Sequence, residues 1–261
     1  NHSNKSMRKR ILNRQTRRIQ DYQCTKILLF SLYYFLEASF VEVTGPLKSE
    51  VAVTECSNYE YDEVKKAIYS SIELVGGIKS LHIGRGDRVL LKENLLAARK
   101  PDEAVTTHPT VARALIEYFQ DVGADVVLGD SSAAGPIETR KALKVSGIEQ
   151  VAAKEKAKAV NFEAEGFVKV PAPKGAMRIT EMYLAKPVLD AQLVVSVPKL
   201  KNHNVTKVTG ALKNLFGTVP TATRMKLHAL GSIRLFSQGI ADICAAVKPR
   251  LAVMDGVVGM D

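Results

Sequence analysis

Lys199, Lys201 and His203 follow at once on the apolar run 193–197, and Lys213 and Asn214 come shortly after. Ammonium groups beside an imidazole suit a phosphate or a carboxylate. The lysines supply charge-assisted hydrogen bonds, and a side chain that titrates near neutrality adds proton transfer or metal ligation. Lys201 and His203 are therefore candidate catalytic groups, and Lys199, Thr209, Gly210, Lys213 and Asn214 are candidate ligand contacts. A glycine inside a helix costs about 1 kcal/mol relative to alanine, so a helical Gly210 would be explained by close approach of a ligand or of backbone. The opposing reading is that these lysines solvate a surface loop, but their place after a buried run favours a site for the group.

Three further clusters follow apolar runs in the same way. Val89-Leu90-Leu91 gives way to Lys92-Glu93-Asn94, from which Lys92 and Asn94 are candidate contacts. Val126-Val127-Leu128 runs into Gly129-Asp130-Ser131-Ser132, where a carboxylate and two hydroxyls could cradle an oxyanion or hold a cation; a cap on the following helix explains Asp130 equally well. Asp255 follows the run 251–254. In Thr106-Thr107-His108-Pro109, Pro109 suits the first position of a helix and either Thr107 or His108 its cap. A helix N-terminus disfavours a charged imidazole, so His108 reads as a proton acceptor or metal ligand. No G-x-G-x-x-G and no Walker lysine is present, so a nucleotide is unsupported. The metal question stays open, and Cys56 is either a thiol at the crevice or a buried inert one.

Runs of this kind are how buried parallel strands look when their carboxyl ends line a crevice. The spacing predicts strands at 51–53, 88–92, 125–129, 192–197 and 250–254. Apolar stripes Val64/Ile68/Ile72/Val75 and Val111/Leu115/Phe119/Val122 predict helices, with others near 206–216 and 232–247. The alternation implies an α/β fold: an open, mostly parallel sheet with helices on both faces, and a small β-rich insertion within 150–190. Residues 51–261 form the α/β domain, and residues 1–50 form a basic and apolar leader outside it.

The formal net charge is +10, and half of that excess lies in residues 1–50. The rest is only mildly basic, which disfavours nucleic acid as a partner. Cys24, Cys56 and Cys244 are too scattered for a disulfide framework or a cluster motif, which makes a reducing cytoplasmic setting the default. A basic stretch at 8–18 before the apolar run 27–36 imitates a secretory leader and leaves export open. That run is short for a bilayer, so a membrane partner is not expected.

The phrases LKENLLAARKPDEAVTTHPTV, GADVVLGDSSAAGP, VVSVPKLKNHNVTKVTGALKNLFGTVP and LAVMDGVVGMD resemble the bacterial and archaeal family called domain of unknown function 362, from about Val51 to Asp261. The resemblance implies an iron–sulfur-associated family whose members often carry 4Fe-4S clusters in a separate ferredoxin-like module. This chain has no such ligand motif, so its cofactor is unknown, and it reads as a fragment truncated at the C-terminal side. The expected function is a redox-associated, enzyme-like domain binding an anionic small molecule at the strand ends, with a ferredoxin-like module or electron carrier as partner. The alternative is a noncatalytic scaffold that docks an electron carrier or nucleic acid. Substrate, reaction and enzyme status are not legible.

Overall fold

A computed structural model describes residues 49–260, and the leader expected at 1–50 lies almost wholly outside them. Five parallel strands form the main sheet in the order β3-β2-β1-β6-β9: β1 (Arg88–Lys92), β2 (Asp125–Asp130), β3 (Lys158–Asn161), β6 (Leu193–Ser196) and β9 (Leu251–Ala252). Leu90 stands opposite Val127 on one side and Val194 on the other. The order runs outward from β1 in both directions, so successive connections leave the sheet on opposite sides of that strand. Such a switch point opens a crevice beyond the carboxyl end, which is where Lys92, Glu93 and Asn94 follow β1.

Strand alternation sorts the core into two layers. Val89, Leu91, Val126, Leu128, Leu193 and Val195 face α1 (Tyr61–Leu74), α2 (Gly77–Leu81), α3 (Pro109–Gln120), α4 (Pro136–Val145) and α5 (Ile148–Lys154). Leu90, Val127 and Val194 face the other way, onto Phe236, Ile240 and Ile243 of α10 (Ile233–Val247) and the residues around Phe216. Helices on both faces of a parallel sheet are the expected architecture.

The β-rich insertion is smaller than expected. Within 150–190, Lys158–Asn161 joins the main sheet as its edge, and only β4 (Phe167–Pro171) and β5 (Glu181–Ala185) form an antiparallel hairpin, flanked by the short α6 (Phe162–Glu165) and α7 (Lys186–Leu189). Asp242 of α10 anchors its loop by accepting from the amides of Met177, Arg178 and Ile179.

Two expected elements are absent from the described residues. No strand forms at 51–53: the segment lies along α1, where Thr54 bonds Ala67 and Ser71, because three alternating residues carry too little pattern to claim a sheet edge. No helix spans 206–216. The chain makes β7 (Lys199–His203), β8 (Lys207–Thr209), α8 (Ala211–Asn214) and a 3₁₀ turn at Leu215–Thr218, after which comes α9 (Thr221–His228). Val205, Thr206, Val208 and Thr209 are β-branched and favour the strand. The strands β10 (Asp255–Met260), β7 and β8 form a second sheet, in which β7 and β10 continue the lines of β6 and β9.

Candidate functional site

Strand β7 is inverted relative to an ordinary surface strand: it buries its lysines and exposes Leu200. Lys199 and Lys201 are therefore not loop lysines. Placing ammonium groups in an interior is costly unless each finds a partner, so the partners define what each one does.

Lys92, at the end of β1 and 1% exposed, is fully occupied. Its ammonium meets Asp130 Oδ1 at 2.6 Å and donates to the Glu93 carbonyl at 2.6 Å and to Asn214 Oδ1 at 3.3 Å. Three acceptors use its three protons, so Lys92 contributes charge but no free donor. Asp130 also accepts from the amides of Ser131 and Leu95, and so ties the β1 and β2 loops together. Gly217 lies directly over this pair, where a Cβ would fall on Asp130 Oδ1 and crowd the end of Lys92.

Beside the pair opens a cavity of about 120 Å³, whose lining includes Asn94, Lys201, His203, Thr209, Lys213 and Phe216. Lys201 donates to the Val105 carbonyl at 2.9 Å, and two of its protons remain. Lys213 stands 4.6 Å over the Phe216 ring. Neither lysine has a carboxylate partner among the described residues. Burial pulls both ammonium groups down to about 8 against the opposing charge of Asp130, helped by Lys213 and Lys92 at Lys201 and by Lys92 and Arg224 at Lys213. His203 Nδ1 accepts from the amides of Val205 and Thr206, each at 3.1 Å, so its proton sits on Nε2. Burial and Lys213 lower its pKa to about 4, which leaves a neutral donor at neutral pH. Asn94 is 8% exposed, and its Oδ1 has no hydrogen-bond partner.

A second cluster lies at the same end of the sheet. Lys199 donates to Asp255 Oδ2 at 3.0 Å and to the Tyr59 hydroxyl, which donates to Asp255 Oδ1 at 2.7 Å. The His108 amide donates to Asp255 Oδ2 at 2.9 Å, and its ring stacks on Tyr59 at 3.6 Å. His108, rather than Thr107, caps α3, accepting at Nδ1 from the Thr110 amide; burial lowers its pKa to about 4. Tyr59 and His108 border a separate cleft of about 450 Å³ with Pro101, Ala104 and Val258.

The expected site residues thus divide. Asn94, Asp130, Ser131, Lys201, His203, Thr209, Lys213 and Asn214 line one cavity, although they come from the loop after β1, the end of β2 and the residue beyond it, β7, β8 and α8. Lys199, His108 and Asp255 form the neighbouring cluster. Several candidates are committed to the scaffold. Thr107 accepts from the Asn94 amide and donates to the Val197 carbonyl. The Ser131 hydroxyl lies between Glu163 and Arg224, and Ser132 is held by Thr139 and Gly135. Asn214 bridges Lys92 and Ser196. Gly210 precedes α8 in an extended conformation rather than lying inside a helix, and no backbone approaches it closely. With Nδ1 of both His108 and His203 accepting amide protons, Nε2 carries the hydrogen and is a donor, not a ready metal ligand. Among the described residues no group of three or more His, Cys, Asp or Glu side chains is placed to hold a metal.

Sequence reasoning passed over Glu93, Arg224 and Tyr59. Glu93 is fully buried and neither carboxyl oxygen has a hydrogen-bond partner, since Thr107 spends its one proton on Val197. Burial raises its pKa to about 8 against the pull of Lys92. Its charge at the end of an apolar run was a legible signal. Arg224 of α9 clamps the Ser131 and Ser132 carbonyls and pairs with Glu163, and nothing local marks it. Cys56 and Cys244 are partly buried, and burial raises both thiols, so neither is activated.

The family model described as domain of unknown function (DUF362) matches residues 89–261, which contain the whole cavity. A thylakoid-associated protein of Synechocystis sp. is 28% identical over 210 residues, covering 80% of this chain and 63% of that protein. The lactate racemase apoprotein of Thermoanaerobacterium thermosaccharolyticum has a similar fold, with a TM-score of 0.52 at 14% identity over 79% of this chain and 54% of its own. The chain therefore spans less than two thirds of the length of either relative. No helix among the described residues is long and apolar enough to cross a membrane.

Proposed function

The chain belongs to the DUF362 family, and we propose that it is an enzyme-like domain that holds a small phosphate or carboxylate in the cavity at the switch point of its sheet. The observation that carries this is the pair Lys201 and Lys213, two desolvated cations that face one cavity whose lining carboxylate, Asp130, is already paired with Lys92. A protein keeps such a pair at a cost in stability, and an anion relieves it. Lys92 and Asp130 neutralise one another, which leaves the field of the cavity positive. His203 Nε2 and the Thr209 hydroxyl add neutral donors. The volume lies below the ~300–1,000 Å³ typical of drug-sized ligands, so the occupant is small.

The charge surplus is aimed inward at a cavity rather than outward at a duplex or a docking face, which favours a small molecule over the scaffold alternative. A redox association and an electron-carrier partner belong to this proposal only through the family resemblance.

Isothermal titration with inorganic phosphate and a panel of small carboxylates tests the reading. Replacing Lys201 and Lys213 together by Met removes two charge-assisted hydrogen bonds, each worth about 1.5–3 kcal/mol, so binding should weaken at least a hundredfold. Equal affinity in the variant would dispose of the anion site.

A further inference from the structure

We propose that Lys213 is an amine nucleophile that forms an imine with the carbonyl carbon of a small 2-oxo carboxylate held in this cavity, a deepening that rests on the anion-site reading. The two cavity lysines are placed for different work. Lys201 is tethered through the Val105 carbonyl at 2.9 Å, which fixes its ammonium as a clamp for a carboxylate. Lys213 has no hydrogen-bond acceptor and no carboxylate partner among the described residues, and its amine rests on the Phe216 face. An amine that donates to nothing keeps its lone pair available once it loses a proton. Lys92 and Arg224 are the like charges that favour that loss, together with burial. The ring face favours the ammonium and opposes them, but the net direction is down.

The neutral imidazole of His203 faces the same cavity with its hydrogen on Nε2. That hydrogen can support the carbonyl oxygen as negative charge develops on it. In the step itself the Lys213 Nζ lone pair forms a C–N bond, and the C=O π pair moves to oxygen, which takes up a proton. Loss of the remaining amine proton and of that oxygen as water leaves the C=N bond, so amine plus ketone yields imine plus water. No oxidant or second substrate enters. The carboxylate answers Lys201, and the cavity is too small for a large acyl chain.

Pyruvate with borohydride is the probe, applied to the full chain across pH 6–9 and read by peptide mapping. At pH 8 the neutral fraction of an amine titrating near 8 is about a hundredfold that of an exposed lysine near ~10.4, so one reduced adduct should dominate, at Lys213. Lys213→Arg should abolish it, Lys201→Met should lower its yield, and inorganic phosphate should protect against it. Adducts spread evenly over exposed lysines, or a dominant adduct at Lys201, overturn the assignment. Phosphate titration run beside it separates the two ideas. Binding of phosphate without an adduct ends the imine proposal alone, and failure of both ends the anion site as well.

Discussion

At the scale of single residues, the cavity is governed by where protons sit. Lys201 and Lys213 are held near 8, so an anion that needs both charges should bind more weakly as the pH rises through that value, a trend visible in titrations at pH 6.5, 7.5 and 8.5. Glu93 acts instead on stability. Its pKa is raised from 4.5 to about 8 in the folded chain, so between those values the native state holds a proton that the unfolded state has released. Stability then falls as the pH climbs through that window. Glu93→Gln keeps the shape and removes the titration. Its melting temperature should exceed that of the parent above pH 8, with the gap closing toward pH 5. A constant offset at every pH would mean that the carboxyl does not titrate as described.

At the scale of elements, strands β1, β2 and β6 were legible because their apolar runs are long and alternate between two cores. The strand ends were legible for the same reason, which is why residues as distant as Asn94 and Lys213 could be expected in one place. The segment 199–218 was not. Leu200, Val208 and Leu212 imitate the buried face of longer elements, yet all three are exposed, and Lys199 and Lys201, expected at the crevice, are buried on a strand. Pairing of β7 with β10 on one side and β8 on the other, invisible in local pattern, sets that polarity. The two glycines of this segment make the contrast testable. Gly217→Ala drives a methyl onto the Lys92–Asp130 pair and should cost about 1–3 kcal/mol, the range of an overpacked interior. Gly210→Ala meets only the end of Met254 at 3.6 Å and should be nearly neutral. Chemical denaturation of both variants measures the difference, and equal losses would contradict the packing described over Asp130.

At the scale of the whole molecule, the second buried ion pair does what no local element can. Lys199 and Asp255 join the strands that continue β6 and β9, Tyr59 brings in the segment before α1, and the His108 amide brings in the start of α3. Four stretches separated by up to 196 positions meet at one carboxylate. This reverses the simplest expectation for Lys199, that its loss would touch ligand affinity and leave the fold alone. Lys199→Met leaves Asp255 buried without its cation, a change that typically costs 3–5 kcal/mol. Asp255→Leu strands the lysine with a similar result. Removing both charges together, as Lys199→Met with Asp255→Leu, takes away the uncompensated charge, and the double variant should recover much of what either single one loses. Urea denaturation of the parent, both single variants and the double variant completes the cycle. Simple additivity of the two losses would show that Lys199 and Asp255 act separately and that the ion pair does not tie β7 to β10.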